Sequence, residues 1–463
     1  MITLSHLPGH DLDISADYPN LYWPFGQHIL SGAKMVAHHP NLYAVYLTNH
    51  GCGPDSMLSH LFRQEMEEKP YLQIEVDEHF SPVGVITRIE AFLESLSHRP
   101  ALPLPRGFDL KKVPVHPANL DPIPRSGRVL RLPDLGWYTP CLADYFRQAY
   151  GVEARPLPPL DREQLELGRS ETASKEYLPF PALLGGMLHC LEQTGEEVQF
   201  LVPFTQGAEA DGQYAQAIRA VLDRRGWKTA GLVTPTLETL LETAREPELL
   251  FRALLTGDLL YAAPAGQRDR LAPAGIPGWE ELEQLAERIG SFPASGRRLP
   301  AVGTPLCLTV LNDGVLDALE REGKQVLRAP LTEYLWFLWS DRQTGPKEQR
   351  LLDLLRDRMR RLSDRLGGHS AFSVQPEQLA GLAEPVLPAF NGGNGRYRWA
   401  KAMQMGEGCR AVLTLAPRYE NTATVLDMRG IYEACPAPLF QMALDADWDE
   451  SAWSRLRSFL HYC

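Results

Sequence analysis

The sequence predicts an α/β protein built of stacked Rossmann-like lobes with parallel sheets, and three observations support this fold class. Short β-rich runs alternate with amphipathic helical stretches, a pattern typical of parallel βαβ units. Two proline-rich breaks divide the 463 residues into three segments. The first and last segments also share an internal repeat, in which one strand–loop–helix unit occurs twice.

The first segment, residues 1–98, is predicted to be an incomplete Rossmann-like lobe. It contains the strand run "LYAVYLT", the turn "NHGCGPDS", a helix, and a second strand run in "PYLQIEVDEHF". The following stretch has seven prolines from Pro100 to Pro124, which exclude a helix or a central strand. Residues 99–125 are therefore predicted to be a linker.

The middle segment, residues 126–262, is predicted to be a second α/β lobe. Its strand runs include "RVLRLPD", "VEARPLP" and "VQFLVPF", and the helix "CLADYFRQAY" has Gly151 as its stop signal. Residues 263–299 form a proline- and glycine-rich connector. Residues 300–463 are predicted to be a third lobe, whose C-terminal half repeats the first lobe.

The repeat has a constant offset of 367 residues (400 − 33), with one residue of slippage in the second strand. The matches include Ala33-Lys34 with Ala400-Lys401, Phe92-Leu93 with Phe459-Leu460 and, across the slip, Gln73 with Gln441 and Asp77 with Asp445. The third lobe has two strand–helix units before its repeated half, and the first lobe has almost nothing before residue 20. The first lobe is thus predicted to lack its front half and to expose a strand edge, which favours association.

Composition excludes several classes of protein. A net charge of −12 offers no basic excess to offset phosphate, so no nucleic-acid partner is predicted. No apolar run reaches the ~20 residues of a membrane helix, and the N-terminus lacks the pattern of a signal peptide. Seven scattered cysteines without a CxxC pair do not indicate a disulfide framework. We therefore expect a cytoplasmic protein with reduced thiols.

Candidate site residues follow the two strands of the first segment. Cys52 lies in a glycine-rich turn before a helix N-terminus, where a cluster ligand, a phosphate cradle and a small residue in a tight turn are all consistent with the pattern. If the turn has no binding role, Asp55 is predicted to be the N-cap of the helix that follows. If the two strands are neighbours, Cys52, His50, Asp77 and His79 converge at one sheet edge and form a metal site of mixed softness.

The stretches "LTNHGCGPDS" and "KPYLQIEVDEHFSPVGVITRIEAFLESL" resemble the C-terminal, non-ATPase region of large acyl-CoA dehydratase activase-related proteins. That region is similar to 2-hydroxyacyl-CoA dehydratase subunits, and the resemblance continues through "VEARPLPPLDREQLELGRSETASKEYLPF" and "REGKQVLRAPLTEYLWFL". It implies Rossmann-like lobes around an iron–sulfur cluster, which receives electrons from an ATP-hydrolysing activator. It also implies anaerobic metabolism and radical elimination of water from a 2-hydroxyacyl-CoA.

The chain departs from the family pattern at the cluster ligands. The family places cysteines where this chain has Tyr177 and Phe180, and the loops "TQGAEADG" and "LAPRYENTAT" also lack the usual cysteine. Of the family's ligand positions, Cys52 alone remains, and a [4Fe-4S] cluster needs about four ligands. Cys52 is therefore the one cofactor-binding residue that the resemblance predicts, and a cluster would have to be shared with a partner.

Three hypotheses follow, and they leave open whether the chain is an enzyme. The first is a partner or scaffold subunit of an acyl-CoA dehydratase-like redox complex, bound to an activase or dehydratase-like subunit or to a second copy. The second is an active [4Fe-4S]-dependent 2-hydroxyacyl-CoA dehydratase, a lyase, or a related low-potential, ATP-driven reductase component. The third is a small-molecule-binding α/β protein without redox chemistry.

Overall fold

A computed structural model of the chain confirms the α/β fold class: helices alternate with parallel strands in Rossmann-like lobes. The structure describes residues 2–49, 51–77, 79–99, 109–114, 120–173, 175–194, 197–294, 298–303, 313–340, 342, 344–373, 375–385, 394–418, 420, 434–444 and 450–463. None of the helices in this described part is both long and apolar enough to cross a membrane.

The chain forms two compact units, which differ in outline from the three predicted segments. Unit 1 comprises residues 1–120, 171–176 and 206–228, and unit 2 comprises the remainder. The division into three segments at residues 98 and 300 stays a prediction, since a compact unit can contain more than one lobe. Much of the predicted linker, residues 100–108 and 115–119, lies outside the described residues.

Unit 1 contains a two-stranded parallel sheet and its helices. Its helices and strands are α1 (Pro24–His38), β1 (Val45–Asn49), α2 (Gly53–Met66), β2 (Leu72–Val76), α3 (Pro82–Ser97) and α7 (Tyr214–Arg224). The alternating pattern of β1 buries Tyr46 and Thr48 on one face, as a strand with one covered face requires. Tyr46 stacks on Phe62 of α2 with ring centroids 4.4 Å apart, and Leu30 of α1 is buried in the same core.

Unit 2 contains two four-stranded parallel sheets. The second lobe is built of β3 (Val129–Leu132), α4 (Tyr138–Tyr150), β4 (Ala154–Pro156), α5 (Arg162–Ser170), α6 (Pro179–Gln193), β5 (Val198–Leu201) and β6 (Gly231–Val233). Its strand order is β4-β3-β5-β6. All four residues of β5 are buried, as expected for a central strand covered on both faces. Gly151 ends α4 in the left-handed conformation (φ 67°), which confirms the predicted stop signal.

Helices α8 (Leu240–Thr243), α9 (Pro247–Ala262), α10 (Arg268–Leu271) and α11 (Trp279–Gly290) follow the second sheet. The third lobe is built of β7 (Arg298–Gly303), α12 (Asp313–Arg321), β8 (Gln325–Arg328), α13 (Leu331–Ser340), α14 (Pro346–Leu366), α15 (Gln378–Ala383), α16 (Asn394–Gly406), β9 (Val412–Pro417), β10 (Leu439–Leu444) and α17 (Glu450–Tyr462). Its strand order, β10-β9-β7-β8, matches that of the second sheet read from the opposite end. One continuous apolar core joins both sheets of unit 2.

The internal repeat is present in the structure. Val45 pairs with Leu72 in the first sheet, and Val412 pairs with Leu439 in the third, so the same pairing recurs at one offset of 367 (412 − 45). The slip predicted in the second strand is therefore absent from the strands themselves. The repeated strands, β9 and β10, lie at one end of the third sheet. Unit 1 has no counterpart of β7 and β8 among its described residues.

The repeat also preserves a buried lysine. The Nζ atom of Lys34 lies 2.6 Å from Asp17 Oδ1, and the Nζ atom of Lys401 lies 2.6 Å from Glu333 Oε1. All four side chains are almost completely shielded from solvent. A buried ammonium requires such a partner, because an unpaired charge in the interior is strongly unfavourable.

Candidate functional site

The predicted site residues follow neighbouring strands. Asn49 and Val76 are register partners at the carboxyl ends of β1 and β2, so Cys52 and Asp77 follow the same edge of the sheet. The Asp77 carboxylate accepts a hydrogen bond from the His79 N–H at 2.9 Å. His50 lies outside the described residues, so the four-residue metal site stays a prediction. Within the described part of the chain, no three His, Cys, Asp or Glu side chains form a group that could hold a metal ion.

Cys52 is the N-cap residue of α2 and is half-buried. Burial raises the pKa of its thiol above the ordinary value, although the Asp55 N–H and the charge of Lys175 oppose this shift. Asp55 lies in the first turn of α2, and its carboxylate accepts a hydrogen bond from the Asn49 N–H at 2.7 Å. The prediction that Asp55 is the N-cap is therefore wrong: Asp55 holds the end of β1 against the start of the helix.

The carboxyl edge of the first sheet is occupied by a lysine that sequence reasoning did not single out. Lys175 Nζ donates to Thr48 Oγ1 at 2.8 Å and lies 2.8 Å from Glu75 Oε2. The next residue, Glu176, accepts a hydrogen bond from His60 Nε2 at 2.6 Å. Burial opposes ionisation of Glu176, but hydrogen bonds from His60 and the Ala173 N–H hold its pKa below the ordinary value.

These contacts show what the motif "SKE" does in the described part of unit 1. The charge of its lysine acts on Cys52, its glutamate bonds to His60 of α2, and each thus has a partner from the first lobe. The sequence does mark these residues, since two adjacent side chains of opposite charge precede an apolar run. The partners could not be read from it, because Thr48 and Glu75 lie about a hundred or more positions earlier in the chain.

The two residues at the positions where the resembling family has cysteines, 177 and 180, are part of the apolar core. Tyr177 and Phe180 are both buried, and Phe180 is completely shielded at the start of α6. The position of Tyr419, opposite Cys52 in the repeat, lies outside the described residues. Since a [4Fe-4S] cluster takes about four ligands, the described residues around Cys52 do not fit such a group.

A second candidate site lies in unit 2, at the carboxyl ends of β7 and β8. A small pocket with a cavity volume of about 20 Å³ opens there, beside the N-termini of α13 and α16. Ligands of doubly wound sheets bind outside the carboxyl ends of the strands, where the strand order reverses. The pocket is lined by Tyr138, Tyr261, Gly303, Arg328, Ala329, Pro330, Leu331, Tyr334, Asn394 and Tyr397.

The polar groups of this pocket are held by buried acids. Asp258 Oδ1 accepts hydrogen bonds from Tyr138 Oη at 2.6 Å and from the Leu331 N–H at 2.8 Å. Its other oxygen accepts from the N–H and the hydroxyl of Thr332, so this carboxylate of α9 caps the N-terminus of α13. Burial nevertheless raises the pKa of Asp258 to about 6. On the far side of the pocket, Tyr397 Oη donates to Glu333 Oε1 at 3.1 Å.

Arg328 supplies the positive charge of the pocket. Its Nη2 lies 2.8 Å from Asp317 Oδ1, and its guanidinium carbon lies 4.4 Å from the centre of the Tyr261 ring. The hydroxyls of Tyr138 and Tyr397 are engaged with buried acids, so the aromatic faces and the charge of the guanidinium define the chemistry of the pocket. That chemistry suits binding of a small anionic group.

Comparison of the chain with models of known protein families, with curated proteins and with solved structures found no match.

Proposed function

We propose that this protein is a partner subunit of an acyl-CoA dehydratase-like redox complex and that it holds no complete iron–sulfur cluster of its own. The observation that supports this most directly is the burial of Tyr177 and Phe180 at positions where the resembling family has cysteines. Neither a tyrosine nor a phenylalanine provides the thiolate that such a cluster usually takes, and Cys52 supplies one of about four.

The surroundings of Cys52 agree with this proposal. A cluster ligand must be deprotonated, and burial raises the pKa of the Cys52 thiol. Lys175, whose charge opposes this shift, is already paired with Glu75 and donates to Thr48.

Anaerobic purification followed by iron and sulfide assays tests the proposal. We expect less than about one four-iron cluster per chain, because one thiolate of about four is available. A brown, EPR-active preparation with close to four irons per monomer would support the alternative of an active dehydratase or reductase component. In that case Cys52→Ala should abolish the cluster, and the matched variant Cys190→Ala, which alters a buried cysteine of α6, should leave it intact.

The pocket in unit 2 supports a second candidate function, the binding of a small molecule without redox chemistry. Its position at the carboxyl ends of β7 and β8 and the charge of Arg328 favour a small anionic ligand. A thermal-shift screen of small carboxylates and inorganic anions tests this candidate. Stabilisation that is lost in Arg328→Met but kept in Arg350→Met, a change on the exposed start of α14, would support it.

A further inference from the structure

The first lobe exposes an apolar surface on β1 and α3. We define the β1–α3 surface as the side chains of Val45, Leu47, Val83, Ile86 and Leu93, all of which are exposed. Val45 and Leu47 lie on the face of β1 opposite Tyr46. Helix α3 has no buried residue at all, although its sequence is as apolar as that of a core helix. Five exposed large apolar side chains within one small lobe indicate an interaction site.

In the third lobe, three of the five equivalent positions are buried. Val45 is 44% exposed and its repeat partner Val412 is fully buried; Leu47 is 61% exposed and its partner Thr414 is 5% exposed. On the helix, Leu93 is 58% exposed, whereas its partner in α17, Leu460, is 9% exposed. The partners of Val83 and Ile86 are the exposed Glu450 and the half-buried Trp453. Val45, Leu47 and Leu93 thus lie on the repeated unit's own packing face.

Two elements lie beside the repeated unit in the third lobe. Strand β7 pairs in parallel with β9 through Ala301–Leu413, Val302–Thr414 and Gly303–Leu415. Helix α12 follows β7, and Glu322, just beyond its end, forms an ion pair with Arg457 of α17. In unit 1 β1 pairs with β2, and no described residue pairs with its other edge. A strand followed by a helix is therefore what the described part of the first lobe lacks.

The charge on α3 indicates that an element completing the first lobe differs from β7 and α12. The repeat partner of Arg457 is Glu90, so the sign of the charge at this position is reversed between the two lobes. An element with the sequence of β7 and α12 would place Glu322 against Glu90, and like charges in contact are unfavourable. A second copy of this chain also keeps β7 and β8 inside its own third sheet. Both observations argue against a second copy as the occupant.

We infer that the β1–α3 surface binds a partner protein that adds a parallel strand to the free edge of β1 and packs an aliphatic helix, ending in a basic residue, beside Glu90 of α3. Main-chain hydrogen bonds to the edge give this mode its affinity, and the side chains that alternate along the strand give it specificity. The inference deepens the proposed function and rests on it only in assigning the partner to the same redox complex.

A peptide with the sequence of residues 298–322 serves as the probe, because it reproduces the element that lies beside the repeated unit in the third lobe. Its binding to the full-length protein is measured by fluorescence anisotropy, once with the natural Glu322 and once with Glu322→Arg. We expect the Glu322→Arg peptide to bind at least about threefold more tightly, since an ion pair replaces a like-charge contact.

Variants of the protein locate the peptide. Leu47→Asp and Leu93→Asp should each weaken binding of the Glu322→Arg peptide more than about tenfold, because they place a charge in an apolar contact. The matched control is Leu382→Asp, which alters an exposed leucine of α15 outside the surface and should leave binding unchanged. Circular dichroism of each variant checks that the fold is retained.

Three results would overturn the inference. They are no binding of the Glu322→Arg peptide, equal binding by the Leu47→Asp variant, or self-association of the protein at micromolar concentration that Leu47→Asp abolishes. The last result would make a second copy the occupant. Iron content measured on the same preparation keeps the two proposals separate: a full cluster with peptide binding overturns the proposed function alone, and an iron-free protein without peptide binding overturns this inference alone.

Discussion

Removal of the buried ammonium of Lys401 provides the sharpest test of how the third lobe is held together. Lys401 Nζ lies 2.6 Å from Glu333 Oε1, 3.0 Å from Ser373 Oγ and 3.2 Å from Gln404 Oε1. Burial lowers the pKa of Lys401, and Glu333 opposes that shift. Lys401→Met keeps the volume of the side chain and leaves the Glu333 carboxylate buried without its cation.

The expected loss follows from that uncompensated charge. Breaking a fully buried ion pair from one side costs about 3–5 kcal/mol of unfolding free energy. In urea this corresponds to a decrease of roughly 1 M or more in the unfolding midpoint, taking a slope of about 3 kcal/mol/M. The double variant Lys401→Met/Glu333→Gln removes both charges; the glutamine oxygen can accept from the Ser373 N–H, and the Tyr397 hydroxyl can still donate to the Pro330 carbonyl. It should regain most of the lost stability.

Urea unfolding followed by tryptophan fluorescence measures all three proteins, and Lys347→Met on the exposed start of α14 is the matched control. The control should change the unfolding free energy by less than about 0.5 kcal/mol. A loss below about 1 kcal/mol in Lys401→Met, or a double variant no more stable than the single one, would refute the reasoning. Either result would mean that the Glu333 carboxylate does not depend on Lys401 for its stability.

Two further predictions concern unit 2. Gly185→Ala should destabilise the protein by about 2–3 kcal/mol, because its Cβ would lie 1.9 Å from the Gln164 carbonyl oxygen where α5 and α6 cross. Gly381→Ala, with open space around the added Cβ in α15, should instead stabilise the protein by up to about 1 kcal/mol, and thermal unfolding compares the two. Asp258 has a folded-state pKa near 6 against an ordinary value of 3.8, so the unfolded chain loses this proton first as the pH rises. Stability should therefore fall by about 2 kcal/mol between pH 4 and pH 6 relative to Asp258→Asn, and parallel pH profiles of the two proteins would contradict this.

Local pattern was enough for the fold class and for much of the repeat. The strand run "LYAVYLT" contains β1, Gly151 ends α4, and the single offset that matches Lys34 with Lys401 also relates the paired strands. These features depend on the periodicity of apolar residues and on the backbone preferences of single residues. Both can be recognised within a short stretch of sequence. The role of Asp55 was misjudged, since an acid near a helix start can cap either the helix or the preceding strand.

Only the tertiary structure decided which distant side chains meet. Lys175 reaches Thr48 across more than a hundred residues, and Asp258 of α9 joins Tyr138 of α4 to the first turn of α13. The sequence determined that these residues were charged or polar and that each lay near the end of a strand or in an apolar helix. Their partners depend on how strands order themselves in a sheet and how helices cross, and those choices minimise buried, unpaired charge over the whole lobe. The repeat in the sequence predicts that the first lobe lacks a strand. The structure was needed to show which apolar side chains of β1 and α3 are then exposed.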